Sequence, residues 1–172
     1  MNKVTPFLWF DTQAHEAAKL YVSVFKRGKK PARITSVTRY PDGGPMPAGS
    51  VMTVEFELGG ESFTALNAGP HFKFTPAISF VVHCDDQKEV DHYWSKLIAG
   101  GGAPSQCGWL TDKFGLSWQI VPKMMLKIYG GKDRAKSNRV MAAMMTMQKL
   151  DVAALTAAAA DKPPRARGKM AA

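Results

Sequence analysis

Apolar positions along the chain follow two spacings in turn, alternation at every second residue and recurrence at every third or fourth, and this order occurs twice. The run TPFLWF begins at Thr5 and TPAISF at Thr75, an offset of 75 − 5 = 70 residues. In the first copy, Phe7 to Phe10 predicts a strand, and Ala14, Ala17, Ala18, Tyr21, Val24 and Phe25 gather on one side of a helix that Gly28 ends. Arg33 to Tyr40 predicts a second strand and PDGGPMPAG an irregular loop. Val51 to Leu58 and Ser62 to Leu66 predict a hairpin turned at Gly59-Gly60. In the second copy, Ala77 to His83 predicts the strand and Asp86-x-x-Glu89 a capping box. Val90, Tyr93, Trp94, Leu97 and Ile98 form the apolar stripe of a helix closed by Gly100-Gly101-Gly102, and strands over Ser105 to Leu110 and Leu116 to Val121 complete the unit.

A single strand-helix-strands unit exposes a sheet face it cannot cover, so two copies imply a shared core. The expected fold is α+β, one domain over residues 1–160 with tandem βαβββ repeats at about 4–68 and 75–122, followed by a helical segment over 123–160. In that segment Met124 and Met125 start a short helix, and from Ala135 a run of high helix propensity places Met141, Met144, Met145, Val152 and Leu155 on one side. Such a stripe suits packing on the sheets or on a second subunit, which makes a homodimer the expected assembly. Residues 161–172, basic and containing Pro and Gly, predict a disordered tail.

The 172 residues are 45% hydrophobic and 22% charged, ordinary values for a globular protein. No apolar run reaches the length of a membrane span, and the N-terminus leads straight into a strand pattern, so neither a signal peptide nor a membrane partner is expected. Cys84 and Cys107 are too few for a disulfide framework, which points to a reducing cytoplasm. The net charge of +9 is concentrated in two places: Lys162, Arg165, Arg167 and Lys169 near the C-terminus, and Lys26, Arg27, Lys29 and Lys30 around Gly28. No nucleic-acid motif accompanies it, so it reads as solvated surface and no nucleic-acid partner is expected.

Four motifs carry a resemblance. Phe63-Thr-Ala-Leu-Asn67-Ala-Gly-Pro70, Glu89-Val-Asp-x-Tyr-Trp94, Cys107-Gly-Trp109-Leu-x-Asp112-Lys-Phe-Gly-Leu-Ser-Trp118-Gln119-Ile-Val-Pro122 and Met144-Met-x-Met-x-Lys-Leu150-Asp, in this order, resemble the PhnB-like family labelled 3-demethylubiquinone-9 3-methyltransferase. That family lies within the vicinal oxygen chelate superfamily of glyoxalases and bleomycin-resistance proteins. The resemblance implies paired βαβββ units forming a barrel around a cavity, subunits that pair, and either sequestration of a small molecule or an enzyme activity, metal-dependent or methyl-transferring.

For a metal, the resemblance implies one ligand from the first and one from the last strand of each repeat. The corresponding places hold Phe7, Asn67, Ala77 or Ser79, and Gln119, with Gln119 where related enzymes carry a Glu. Neutral amides bind a divalent ion weakly, so no metal and no cofactor is expected. For S-adenosylmethionine, a glycine-rich turn from strand to helix is wanted, whereas these glycines fall in a loop, a hairpin and a helix end. Of the histidines, His15 and His92 are expected at the surface, His83 in a strand-end turn, and His71 on a loop able to cover the cavity mouth. Cys107 reads as a strand residue beside a turn rather than a nucleophile. If Gln119 points inward as its Glu counterpart does, Ser117 and Val121 share its face and Trp118 packs under a helix. The offset then places Trp9 with Ser79 inside and Leu8, Phe10, Ile78 and Phe80 outside, while Asn67, Ala65 and Phe63 complete the lining. Trp9, Asn67, His71, Ser79, Ser117 and Gln119 are therefore the ligand-binding candidates, and the same lining fits either a cavity for a small apolar or aromatic molecule or a barrel filled by its own side chains with no ligand. The alternative is an enzyme of the same superfamily.

Overall fold

Both copies of the repeat fold into one hydrogen-bonding pattern. The computed structural model describes residues 3–28, 30 and 32–160. In chain order the first copy is β1 (Phe7–Phe10), α1 (Ala14–Phe25), β2 (Arg33–Arg39), β3 (Val51–Leu58) and β4 (Glu61–Asn67). The second is β5 (Ser79–Cys84), α2 (Gln87–Ile98), β6 (Ala103–Pro104), β7 (Trp109–Thr111) and β8 (Ser117–Pro122), followed by α3 (Lys123–Tyr129), α4 (Arg134–Met144) and α5 (Val152–Ala160). The two four-stranded sheets run β1-β4-β3-β2 and β5-β8-β7-β6, so in each the first strand of the repeat pairs with its last. The fold is α+β, as the doubled pattern predicts. Among the described residues no helix is long and apolar enough to cross a membrane. The expected tail over 161–172 lies outside the described residues.

By contacts the chain divides into two units, one running to Ile78 and including Asp112–Ser117, the other comprising Ser79–Thr111 and the chain from Trp118 onward. The core of the first lies between α1 and one face of its sheet. Ala14, Ala17 and Ala18 are fully buried, and their small side chains let the helix lie close to β3 and β4. Tyr21, Val54, Phe56 and Phe63 fill the layer, with Phe56 and Phe63 stacked at 5.3 Å between ring centres. Each such fully buried large side chain contributes roughly 1.5–3 kcal/mol. The Gly59-Gly60 turn joins β3 to β4 with both residues at positive φ, +60° and +94°, as a tight hairpin requires.

In the second unit, Asp86 caps α2 by accepting from the Glu89 amide at 2.9 Å, and Glu89 returns a contact to the Asp85 amide at 2.7 Å. Val90, Tyr93, Trp94 and Leu97 are the buried stripe, with α2 packed over β5 and β7. The strand predicted over Ser105 to Leu110 is in fact two short strands, β6 and β7, around a turn in which Ser105 N donates to Trp109 O.

The helix predicted from Ala135 is likewise two helices. Between α4 and α5 the carbonyls of Met147 and Gln148 accept from the amides of Cys107 and Gly108, and Leu150 is fully buried. Gln87 donates to Leu150 O and accepts from Val152 N, while Asp151 caps the following helix through Ala154 N. Tertiary hydrogen bonds thus outweigh a local helix propensity of a few tenths of a kcal/mol per residue. Met125, Ile128, Val140, Leu150 and Leu155 form a separate small core among α3, α4 and α5.

Candidate functional site

The open face of the first sheet carries the most organised group of candidate residues. The parallel register pairs Phe7 with Thr64, Leu8 with Ala65, Trp9 with Leu66 and Phe10 with Asn67. Paired residues point to the same side of a sheet, so Leu8, Phe10, Ala65 and Asn67 face α1, and Trp9, Leu66, Phe7 and Thr64 face away from it. Burial follows the same alternation: Leu8, Phe10, Phe63, Ala65 and Asn67 are buried, Trp9, Thr64 and Leu66 half-buried, and Phe7 is 60% exposed.

This register corrects one expectation. Asn67, with Ala65 and Phe63, does not share a face with Trp9 but lies on the helix side. Its Oδ1 accepts from Ala14 N at 2.7 Å at the start of α1, and its Nδ2 donates to Val51 O at 3.1 Å. Gln13, the residue before the helix, makes no side-chain cap, so Asn67 supplies the acceptor from another strand. Tyr40 Oη in turn donates to Asn67 O at 2.5 Å.

Trp9 is held on the open face by its indole Nε1–H, which donates to Gly69 O at 2.9 Å. Gly69 has φ +84°, a conformation that turns the chain after β4 and lets the loop fold back. There the Phe72 ring stands edge-on to Trp9 at 4.9 Å and His71 at 6.5 Å. Trp9 and His71 are thus brought together. Phe72, which is 66% exposed, was missed by sequence reasoning, although it lies next to His71 in the GPHFKF loop.

In the second unit Gln119 and Ser79 meet, with Gln119 Nε2 donating to Ser79 Oγ at 2.9 Å. Trp118 and Ile120 are buried on the helix side, as expected of alternation along β8, and Gln119 and Val121 are half-buried. Phe80 is half-buried against Trp118 at 5.7 Å, but Ile78, expected on the same side, precedes the strand and is 71% exposed. Ser117, which opens β8, is 1% exposed, and its hydroxyl has no hydrogen-bond partner. An unsatisfied buried hydroxyl is unfavourable and marks a position where a polar group would be welcome.

The remaining histidines and cysteines are placed individually. His15 is half-buried rather than at the open surface, and with Thr12, Met46, Pro47, Ser50, Val51 and Asn67 it lines a pocket of about 280 Å³ beside the first turn of α1. Burial, then the charges of Lys19 and Arg39, hold its imidazole below the usual pKa. His92 is half-buried against Tyr93, and His83 is exposed. Cys107 lies in the turn before β7 rather than in a strand, with φ +57° and its Sγ 3.6 Å from Met145 Sδ. Cys84 is fully buried, and burial pushes its thiol up to about 12.

The residues present do not fit the groups that the family implies. The three strand-to-helix junctions pass through Asp11-Thr12-Gln13, through Asp85-Asp86, and directly from Pro122 into α3. None contains a glycine, so the backbone offers no close approach of the kind a nucleotide-bearing methyl donor requires. At the positions where metal-binding relatives place ligands, the Asn67 amide is occupied as a helix cap and the Gln119 amide bonds to a serine. Among the described residues no three His, Cys, Asp or Glu side chains lie close enough to hold a metal ion.

Known proteins agree with this architecture. The family model of 3-demethylubiquinone-9 3-methyltransferase matches residues 2–121. A PhnB protein from Bacillus cereus is 34% identical over 70% of this chain and 99% of its own, with a TM-score of 0.62. A crystal structure of a Pseudomonas aeruginosa protein superposes with a TM-score of 0.58 at 19% identity, covering 71% of this chain and 98% of its own, which shows the shared fold. No curated protein matches the chain. With a family match over most of its length and one βαβββ topology built twice, the chain belongs to the PhnB-like 3-demethylubiquinone-9 3-methyltransferase family of the vicinal oxygen chelate superfamily.

Proposed function

We propose that the protein binds a small apolar or aromatic molecule on the open face of the first sheet, against Trp9. The observation that carries this reading is the fixed indole. Its N–H is satisfied by Gly69 O, its ring is braced by Phe72 and His71, and its neighbour Leu66 adds apolar surface. A pre-oriented aromatic ring loses little entropy on binding and offers both stacking and dispersion contact. His71 supplies a polar edge at the same place. The Gln119–Ser79 pair of the second unit is a separate candidate polar contact and forms no part of the Trp9 site.

The test is calorimetry against a panel of small aromatic compounds, with a Trp9→Ala variant measured in parallel. Saturable binding that drops at least tenfold in Trp9→Ala supports the reading, and equal binding by wild type and variant overturns it. Titration with S-adenosylmethionine tests the activity in the family's description. Saturable binding there would replace the binding-protein reading with an enzymatic one.

The expected homodimer and cytoplasmic location belong to the same proposal. Exposed Leu126, Met141 and Met145 supply apolar surface for a second copy, and both cysteines are free. Sedimentation at micromolar concentration checks the dimer, and a monomer would count against it.

A further inference from the structure

The helices after β8 form a second, separate pocket, open to one side. It has a volume of about 360 Å³, at the lower end of small-molecule sites, and is lined by Met124, Lys127, Ile128, Lys136, Thr156, Ala159 and Ala160. Its origin lies in composition. The α5 sequence VAALTAAAA packs through one buried large residue, Leu155, and the alanines that follow are too small to fill the space beside Met124 and Ile128. The wall is also held in place. Arg139 donates through Nε to Ala158 O at 3.0 Å and through Nη2 to Ala159 O at 3.4 Å, closing the last turn of α5 with a cation, as a helix C-terminus favours.

Charge selects the occupant. Lys113, Lys123 and Lys149 each pair with a carboxylate, Glu16, Asp85 and Asp91 respectively. Among the described residues Lys127 and Lys136, which flank the apolar pocket, make no ion pair, and no acidic side chain belongs to its lining. An apolar recess flanked by two lysines that have no carboxylate partner among the described residues complements a molecule with a hydrocarbon chain and an anionic head. We propose that this pocket binds a small anionic amphiphile of the alkyl carboxylate class, the chain lying against Met124, Ile128, Ala159 and Ala160 and the carboxylate at Lys127 and Lys136. This site is independent of the Trp9 surface.

Calorimetry of the full chain with decanoate and with 1-decanol tests it. Decanoate is expected to bind saturably and more tightly than decanol, with affinity rising about fourfold per added methylene along the carboxylate series. The double variant Lys127→Met/Lys136→Met should lower decanoate affinity to that of decanol and leave decanol unchanged. Ala159→Leu, which fills the recess, should remove binding of both, with circular dichroism verifying that the variant is folded. Trp9→Ala should leave decanoate binding intact, which separates this site from the one proposed above. Absence of decanoate binding, equal binding of decanoate and decanol, wild-type affinity in the double lysine variant, or loss of decanoate binding in Trp9→Ala would each overturn the proposal.

Discussion

Asn67 accepts the amide proton of Ala14 across 53 positions of sequence, and so a residue at the end of β4 serves as the cap of α1. Asn67→Ala removes that acceptor and leaves both the Ala14 amide and the Val51 carbonyl without their partner. A loss of about 1–3 kcal/mol in unfolding free energy is expected, the combined range for a cap and a buried hydrogen bond. Chemical denaturation measures it. Binding of aromatic compounds at Trp9 is expected to persist, because Asn67 lies on the opposite face of the sheet.

Tyr21 and Asp112 form a second long-range link within the first unit, the buried hydroxyl donating to Asp112 Oδ2 at 2.8 Å. The other carboxylate oxygen accepts from the amides of Phe114 and Leu116, so Asp112 also shapes the 112–117 turn. Tyr21→Phe keeps the ring and deletes the donor, with an expected cost of about 1–3 kcal/mol by denaturation. Asp112→Ala should cost more, since it frees two amides as well. Equal stability of Tyr21→Phe and wild type would contradict a structural role for the bond.

The two thiols should differ sharply in reactivity. At pH 8 a thiol reagent is expected to label the half-buried Cys107 quickly and to leave Cys84 unmodified in the folded protein. Burial, with a smaller contribution from Glu89, raises the Cys84 thiol from its ordinary 9.0 to about 12. The folded state thus holds this proton more tightly than the unfolded state. Its contribution to stability is complete below pH 9 and is lost as pH rises towards 12. Cys84→Ala should flatten that alkaline decline in denaturation curves, and an unchanged slope would argue against the assignment.

Gly102 follows α2 where the chain passes close to β7. A Cβ at this position would lie 2.6 Å from Thr111 O and 2.7 Å from Ile98 Cα, both backbone atoms that cannot swing aside. Gly102→Ala is expected to destabilise the second unit by about 1–3 kcal/mol, read as a lowered thermal midpoint. Gly102→Ser should behave the same way, since the clash is made by the Cβ that both introduce.

Local patterns in the chain carried the elements and their order. Alternating and helical spacings placed β1, α1, β3, β4, β5 and α2 within a few residues, and the capping box at Asp86 and the hairpin at Gly59-Gly60 formed as their chemistry dictates. The repeat implied two equivalent sheets, and the strand order in each is the same. Trp9, His71, Ser79 and Gln119 were each named as candidates from strand position and loop composition, but their contacts, Trp9 with His71 and Ser79 with Gln119, appear only in the folded chain.

Topology was thus legible along the chain, because period and turn chemistry act over a few residues. Register was not, because it depends on contacts between strands far apart in sequence. The family resemblance makes Asn67 and Gln119 counterparts as the last-strand positions of the two repeats, yet Asn67 is paired with the buried Phe10 while Gln119 bonds to Ser79. By burial, Gln119 matches the half-buried positions of β4, Thr64 and Leu66, and not the buried Asn67 that alternates with them. In a strand a shift of one residue reverses the face on which a side chain lies. For the same reason the break between α4 and α5 was hidden in a run of good helix formers. It is made by hydrogen bonds to Cys107, Gly108 and Gln87, residues that only the folded chain brings to it.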